Sequence, residues 1–142
     1  MAFEMGPVYL GDRVAAANYS SDRNIGCAVS STSGTTFKRL AVDGAPVLGV
    51  LCDNPSSGQM GRIQIGGIAK CRVVATTHVA IAVMDKIKGT SDGFFRSSTA
   101  TTQVAKYTFG RALEPLAANT TGVIAVYITH QGGGSSGAAS AA

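Results

Sequence analysis

The chain has no tryptophan and only four tyrosines, so it has little with which to build the exposed aromatic platform of a carbohydrate-binding β-sandwich. Its three cysteines, Cys27, Cys52 and Cys71, show no CxxC spacing and no neighbouring histidine, which leaves zinc and dithiol redox chemistry without a motif. Their neighbours Ile25, Val29, Leu51 and Val73 are apolar. They read as small buried hydrophobes, kept reduced as in a cytosol. Asp53 follows Cys52, and a negative neighbour raises a thiol pKa and works against a thiolate nucleophile. No apolar run approaches the roughly 20 residues of a membrane-spanning helix, and no charged segment leads an apolar one at the start. The expectation is a soluble protein with no signal peptide and no membrane contact.

Charge is also scarce, at 14% against about 25% in an average globular domain. Ser, Thr, Gly and Ala must therefore cover much of the surface, which suits a chain that rests against other protein. The net charge of +4 raises the question of nucleic acid. From Met1 to Asn54 there are four basic and five acidic residues; from Pro55 to Arg111 there are eight and two. Those basic residues come singly or in pairs without interleaved aromatics, so no direct nucleic-acid contact is expected. The Gly-Ser loops "SGTTFKR" and "SSGQMGR" lack the GxxxxGK[ST] spacing and a following helix, so neither cradles a phosphate. The carboxylates are isolated, Asp12, Asp22, Asp43, Asp53 and Asp92 lie beside turn-formers, and His78 and His130 share no motif with a nucleophile. The reading is not an enzyme, with no catalytic residues, no metal and no cofactor.

What is present is a chain of 142 residues, 45% apolar, long enough to bury one core. Helical periodicity is poor, whereas short β-branched runs recur between Gly, Pro, Asn, Asp and Ser. Strands are expected near Arg13–Ala16, Ile25–Ser30, Thr36–Leu40, Val47–Cys52, Gly61–Gly67, Ala69–Val74, Lys86–Lys88, Phe94–Arg96, Gln103–Phe109 and Val123–Thr129. In "GRIQIGG" Ile63 and Ile65 face one way and Arg62 and Gln64 the other, and Ile124, Val126 and Ile128 alternate in the same manner. Val79–Val83 fits either a buried strand or a helical turn, and extended structure is preferred. Asp92-Gly93 reads as a tight hairpin turn, followed by Phe94 and Phe95 with one ring on each face.

The pattern is all-β, a single compact β-sandwich or barrel-like (β-tulip-like) domain. It divides into an extended N-terminal arm over residues 1–12, a β-rich body over 13–130, and a flexible Gly/Ser/Ala tail over 131–142. Pro7 interrupts any regular element in the arm. The arm's apolar residues need something to lie on. An internal echo stands out as well: Gly49 lies twelve residues before Gly61 and Gly110 twelve before Gly122, each pair with a proline between and an alternating strand after it. Two similar corners are expected.

Three blocks, "PVLGVLCDNPSSGQMGRIQIGGIAKCRVVA", "MDKIKGTSDGFFR" and "YTFGRALEPLAANTTGVIAVYI", together resemble the capsid cement, or head decoration, proteins of tailed bacteriophages. The resemblance spans roughly Ala41 to Ile128. It implies a protein made in the host cytoplasm that binds the outer capsid surface, often as a homotrimer, and reinforces joints between major capsid protein subunits. Met5, Val8, Tyr9 and Leu10 on the arm, and Phe94 or Phe95, are the candidate capsid or subunit contacts. The competing classes are a carbohydrate-adhesion module on the virion surface and a small enzyme or OB-like nucleic-acid binder.

Overall fold

The computed structural model describes residues 6–30, 33–76, 78–98 and 107–131. Among the described residues the chain is all-β, with ten strands and no helix. Strands β1 (Val8–Ala15), β2 (Gly26–Ser30), β3 (Ser33–Arg39), β4 (Gly49–Leu51) and β5 (Met60–Gly66) close a small barrel in the order β1-β3-β2-β4-β5. Strands β6 (Ile68–Val74), β7 (Lys86–Gly89), β8 (Phe95–Ser97), β9 (Thr108–Ala112) and β10 (Thr121–Gln131) close a second one in the order β6-β8-β7-β9-β10. The two share one topology. In each, the first and third strands pair in parallel and every other neighbouring pair is antiparallel.

The duplication extends to single hydrogen bonds. Asn24 N donates to Leu51 O at 2.7 Å and Met84 N to Ala112 O at 2.6 Å; Cys52 N donates to Arg62 O and Leu113 N to Ala125 O, both at 2.8 Å. Asn24 and Met84 both hold positive φ, at 70° and 75°, and so do Gly58 and Asn119 in the matching turns, at 82° and 59°. Methionine rarely enters that region, so Met84 is held there by the barrel and not by its own preference.

The glycine echo marks the same duplication. A Cβ on Gly49 would run into Gln64 O and lie 2.7 Å from Ile63 Cγ2; one on Gly110 would run into Tyr127 O and lie 2.8 Å from Val126 Cγ1. Gly61 and Gly122 are not equivalent, however. Leu51 pairs with Ile63 and Ala112 with Val126, so the second loop is two residues longer. An even insertion keeps the side-chain alternation in phase, because strand residues two apart share a face.

Each barrel has a core, and one core spans both. Tyr19, Ile25, Cys27, Phe37, Leu51 and Ile63 fill the first. Cys71, Val73, Ile81, Ile87, Phe95, Phe109, Ile124, Val126 and Ile128 belong to the second, together with Leu40, Val47 and Val50 from the first half of the chain. Gly89 allows this: a Cβ there would collide with the Leu40 side chain and sit 2.9 Å from Val47 Cγ2. Across the seam, Gly26 N donates to Gly93 O at 2.7 Å, Arg72 N to Asn24 O and Gly44 N to Gly89 O at 2.9 Å, and Lys88 pairs with Asp43 at 3.1 Å.

Several expectations shift. The arm expected over residues 1–12 is strand from Val8 onward, because β5 offers an unpaired edge that Val8, Tyr9 and Leu10 take up opposite Gly66, Gln64 and Ile63. Gln64 is buried, not outward. Gly67, at φ 82°, is the single residue between β5 and β6, and Gln64 Nε2 donates to the carbonyls on either side of it, Gly66 O at 2.9 Å and Ile68 O at 2.8 Å. The strand expected at Gln103–Phe109 begins at Thr108, residues 103–106 lying outside the described set. Val79–Val83 forms no regular strand and keeps one bridge, Ile81 to Leu116. The tail, apart from Gln131, also lies outside the described residues.

Gly49→Ala and Gly110→Ala are each expected to lower unfolding free energy by at least about 1–3 kcal/mol, the usual range for overpacking. Gly11→Ala, where a Cβ meets nothing within 4 Å, should stay within about 0.5 kcal/mol of the parent. Urea denaturation of the three variants measures the difference, and equal midpoints would show that the strands part without cost.

Candidate interaction surface

The N-terminal strand builds the first face. Gly6 and Pro7 lie directly over Gly67, where an added Cβ would stand 3.0 Å from Gly6 O and from Pro7 Cα. Val8 and Tyr9 then run along the edge of β5. Val8 is half exposed, Tyr9 is 39% exposed, and the Arg62 guanidinium sits 4.1 Å over the Tyr9 ring. That contact sets a cation over the exposed ring and gives the face a positive rim. Leu10 turns inward against the first core. Met5 lies outside the described residues.

The second face lies on the outside of β6 and β10. Ile68 stands opposite Tyr127, Lys70 opposite Ala125 and Arg72 opposite Val123. Ile68, Val123 and Tyr127 are exposed. The candidate contacts drawn from the sequence omit these residues, although the alternation of "IAKCRVV" carries the signal: Ala69, Cys71 and Val73 are buried, so Ile68, Lys70 and Arg72 point out. Because only Gly67 separates β5 from β6, Val8 and Ile68 belong to the same end of the molecule. Glu114 steadies the face: its carboxylate accepts from Ala125 N at 2.6 Å and pairs with Lys70 at 3.3 Å.

Phe94 and Phe95 divide as the alternation requires, one partly exposed and one buried. Phe95 is fully buried and stacks on Phe109 with centroids 5.1 Å apart, so this candidate is core. Phe94 is half-buried at the seam, with Arg72 5.7 Å over its ring. The Asp92-Gly93 turn forms as expected. Gly93 takes φ 84°, Gly93 N donates to Thr90 O at 3.0 Å, and Asp92 Oδ1 accepts from Phe94 N at 3.1 Å and from the Thr90 hydroxyl.

The three cysteines and His130 are engaged in structure. Burial pushes the Cys27 and Cys71 thiols far up; Cys52 is only half-buried, not core, yet burial raises its thiol too. His130 Nδ1 lies 2.7 Å from Tyr107 Oη and Nε2 lies 2.9 Å from Ile65 O, so the ring ties the second barrel to the first. Among the described residues no group of three His, Cys, Asp or Glu side chains could hold a metal ion.

No family model and no curated protein matches this sequence. Among solved structures, the fold is similar to that of the head fibre gp8.5 N base in bacteriophage phi29, with a TM-score of 0.53 and 17% identity, over 89% of this chain and 98% of that chain. At that identity the likeness is one of fold.

Two carboxylates make stability fall in acid. Burial raises the Asp92 pKa, but the Thr90 hydroxyl, Phe94 N and Arg96 outweigh it and hold the group below its ordinary value. Ala125 N, then Lys70, lowers that of Glu114. A pKa lower in the folded than in the unfolded state contributes stability that is complete above the unfolded value, near 4, and is lost as pH falls through the folded one. Melting temperature should therefore drop between about pH 5 and pH 2, and Asp92→Asn should flatten that slope. An unchanged slope would show that Asp92 carries no share of the acid sensitivity.

Proposed function

We propose that this chain is a structural protein of a bacteriophage virion that binds the outer capsid surface and braces contacts between major capsid protein subunits, as a homotrimer. The observation that carries the reading is the fold shared with a protein whose name assigns it to the base of a phage head fibre. The blocks between Ala41 and Ile128 that resemble capsid cement proteins point the same way from the sequence.

The two faces suit such a role. Val8 and Tyr9 with Arg62 on one, and Ile68 and Tyr127 with Lys70 on the other, combine apolar area with basic side chains. Apolar centres supply contact energy and cations at the rim steer the encounter. On a repeating shell, many modest contacts of this kind multiply through avidity.

Co-sedimentation with purified expanded capsids, followed by heating of the shells with and without the protein, tests the reading. Binding with a raised shell-disruption temperature is the expected result, and failure to bind overturns it. Ile68→Glu places a carboxylate beside Tyr127 at the apolar end of the second face and should weaken capsid binding at least tenfold while leaving the melting temperature of the free protein within a few degrees. Deleting Met1–Gly6 leaves β1 intact and probes the arm alone. Weaker binding with an unchanged melt assigns it a contact, and unchanged binding removes it from the interface.

A further inference from the structure

One row of backbone hydrogen bonds crosses the seam between the barrels. Cys52 N, just past β4, donates to Arg62 O at 2.8 Å, Asn24 N donates to Leu51 O at 2.7 Å, and Arg72 N donates to Asn24 O at 2.9 Å. Arg62 of the first barrel and Arg72 of the second therefore lie along one line, each five residues from Gly67. Their neighbours Ile63, Cys71 and Val73 are buried, so both side chains turn outward. Arg23, which is exposed, directly precedes Asn24 in that row. Half-buried Cys52 lies among them: burial is the main force on its thiol pKa and raises it, while Arg62 and Arg23 both act to lower it.

None of these three cations is in an ion pair. Among the described residues the ion pairs use Arg13, Arg39, Lys70, Lys88 and Arg96 instead. Asp53, next to Cys52, is turned to backbone, its Oδ1 accepting from Arg62 N at 3.1 Å. Two of the guanidiniums lie over aromatic rings, Arg62 at 4.1 Å from the Tyr9 centroid and Arg72 at 5.7 Å from that of Phe94. A guanidinium laid on a ring keeps its N–H edge free, and that edge is a planar fork matched to a carboxylate. Like charges gathered on one face repel one another, and an anionic partner relieves the repulsion.

We infer that the band formed by Arg23, Arg62 and Arg72 is a docking site for an acidic segment of another protein, whose Asp or Glu side chains pair with the guanidiniums. Carboxylates fit it better than nucleic acid does. The guanidiniums already occupy a face of the Tyr9 and Phe94 rings on which a base would stack, and three cations are few beside the roughly 6–10 phosphate contacts of a strongly salt-dependent DNA binder. The band takes residues from both barrels, so it exists only in the joined body. The acidic segment belongs to the shell protein, an assignment that rests on the capsid reading above.

The probe for the band itself is decaglutamate, titrated into the full-length protein and followed by backbone amide NMR, with a thymidylate oligomer of the same length beside it. Decaglutamate should shift the signals of Arg23, Asn24, Cys52, Arg62 and Arg72, and raising sodium chloride from about 20 to about 300 mM should weaken its binding roughly tenfold, since exposed charges are then screened over a shorter distance. Arg62→Gln and Arg72→Gln should each weaken it about threefold or more with melting temperatures within a few degrees of the parent, whereas Lys86→Gln, which removes an exposed cation of β7 outside the band, should leave it unchanged. Arg23→Gln, at an exposed position, repeats the test if either of the first two variants does not fold. Shifts scattered over the surface, or an equal loss in Lys86→Gln, overturn the site. Stronger shifts of the same signals by the thymidylate oligomer overturn the acidic partner in favour of nucleic acid. Capsid co-sedimentation tests the source. A loss of affinity of about tenfold or more when all three arginines are changed to glutamine supports an acidic segment of the shell, and undiminished affinity overturns that assignment. If the parent protein does not sediment with capsids, the capsid reading fails, while the decaglutamate titration still decides the band.

Discussion

Closing a barrel from five short strands leaves almost no room at its narrowest crossing. At Gly49 and at Gly110 the strand before the closing one passes so close to its neighbour that a methyl group would meet a carbonyl oxygen, Gln64 O in one barrel and Tyr127 O in the other. Strand number, tilt and interior volume are coupled in a small barrel, so this approach sets how far the remaining strands can curl. The buried faces of β5 and β10 follow from it. Ile63 and Val126 point into their cores because β4 and β9 hold them in that register.

The two barrels are joined as one body by devices that each barrel alone would not need. Gly89 lets Leu40 and Val47 pack into the second core, Gln64 satisfies the carbonyls exposed by the Gly67 turn, and the Asp92-Gly93 hairpin reaches back to Gly26 N. A buried amide with both partners in place favours one arrangement, because any other leaves it unsatisfied. The duplicated frame is thus kept while its filling diverges. The contrast between Tyr19 and Ile81 shows this, and so does that between Asn24 and Met84, where a residue suited to positive φ has one unsuited to it as its counterpart.

Strand positions were legible because alternation is a direct record of a sheet with one dry face. Nine of the expected strands have counterparts with shifted ends, the one expected at Gln103–Phe109 meets β9 only at Thr108 and Phe109, and the rings of Phe94 and Phe95 fall on opposite sides as their adjacency requires. The repeated glycine spacing exposed the duplication but misaligned its second half, since a two-residue insertion is silent in the alternation. The candidate contacts were less legible. Val8 and Tyr9 are exposed, yet Phe95 is core, and the exposure of Ile68 is legible only once β6 is known to bury Ala69, Cys71 and Val73. Burial depends on which face meets a neighbouring element, and a strand's own sequence does not carry that information.

The sequence by itself determined an all-β chain with a repeated corner, a working Asp-Gly turn and two of its three thiols buried, since each depends on residues near one another along the chain or on a period of two. Only the tertiary structure decided that the repeat is two complete barrels of one topology, that Gln64 is a buried clasp, and that Ile81 holds in one barrel the backbone position that Tyr19 holds in the other. Those features depend on contacts between residues tens of positions apart. Their geometry exists only once both barrels have closed and packed against each other.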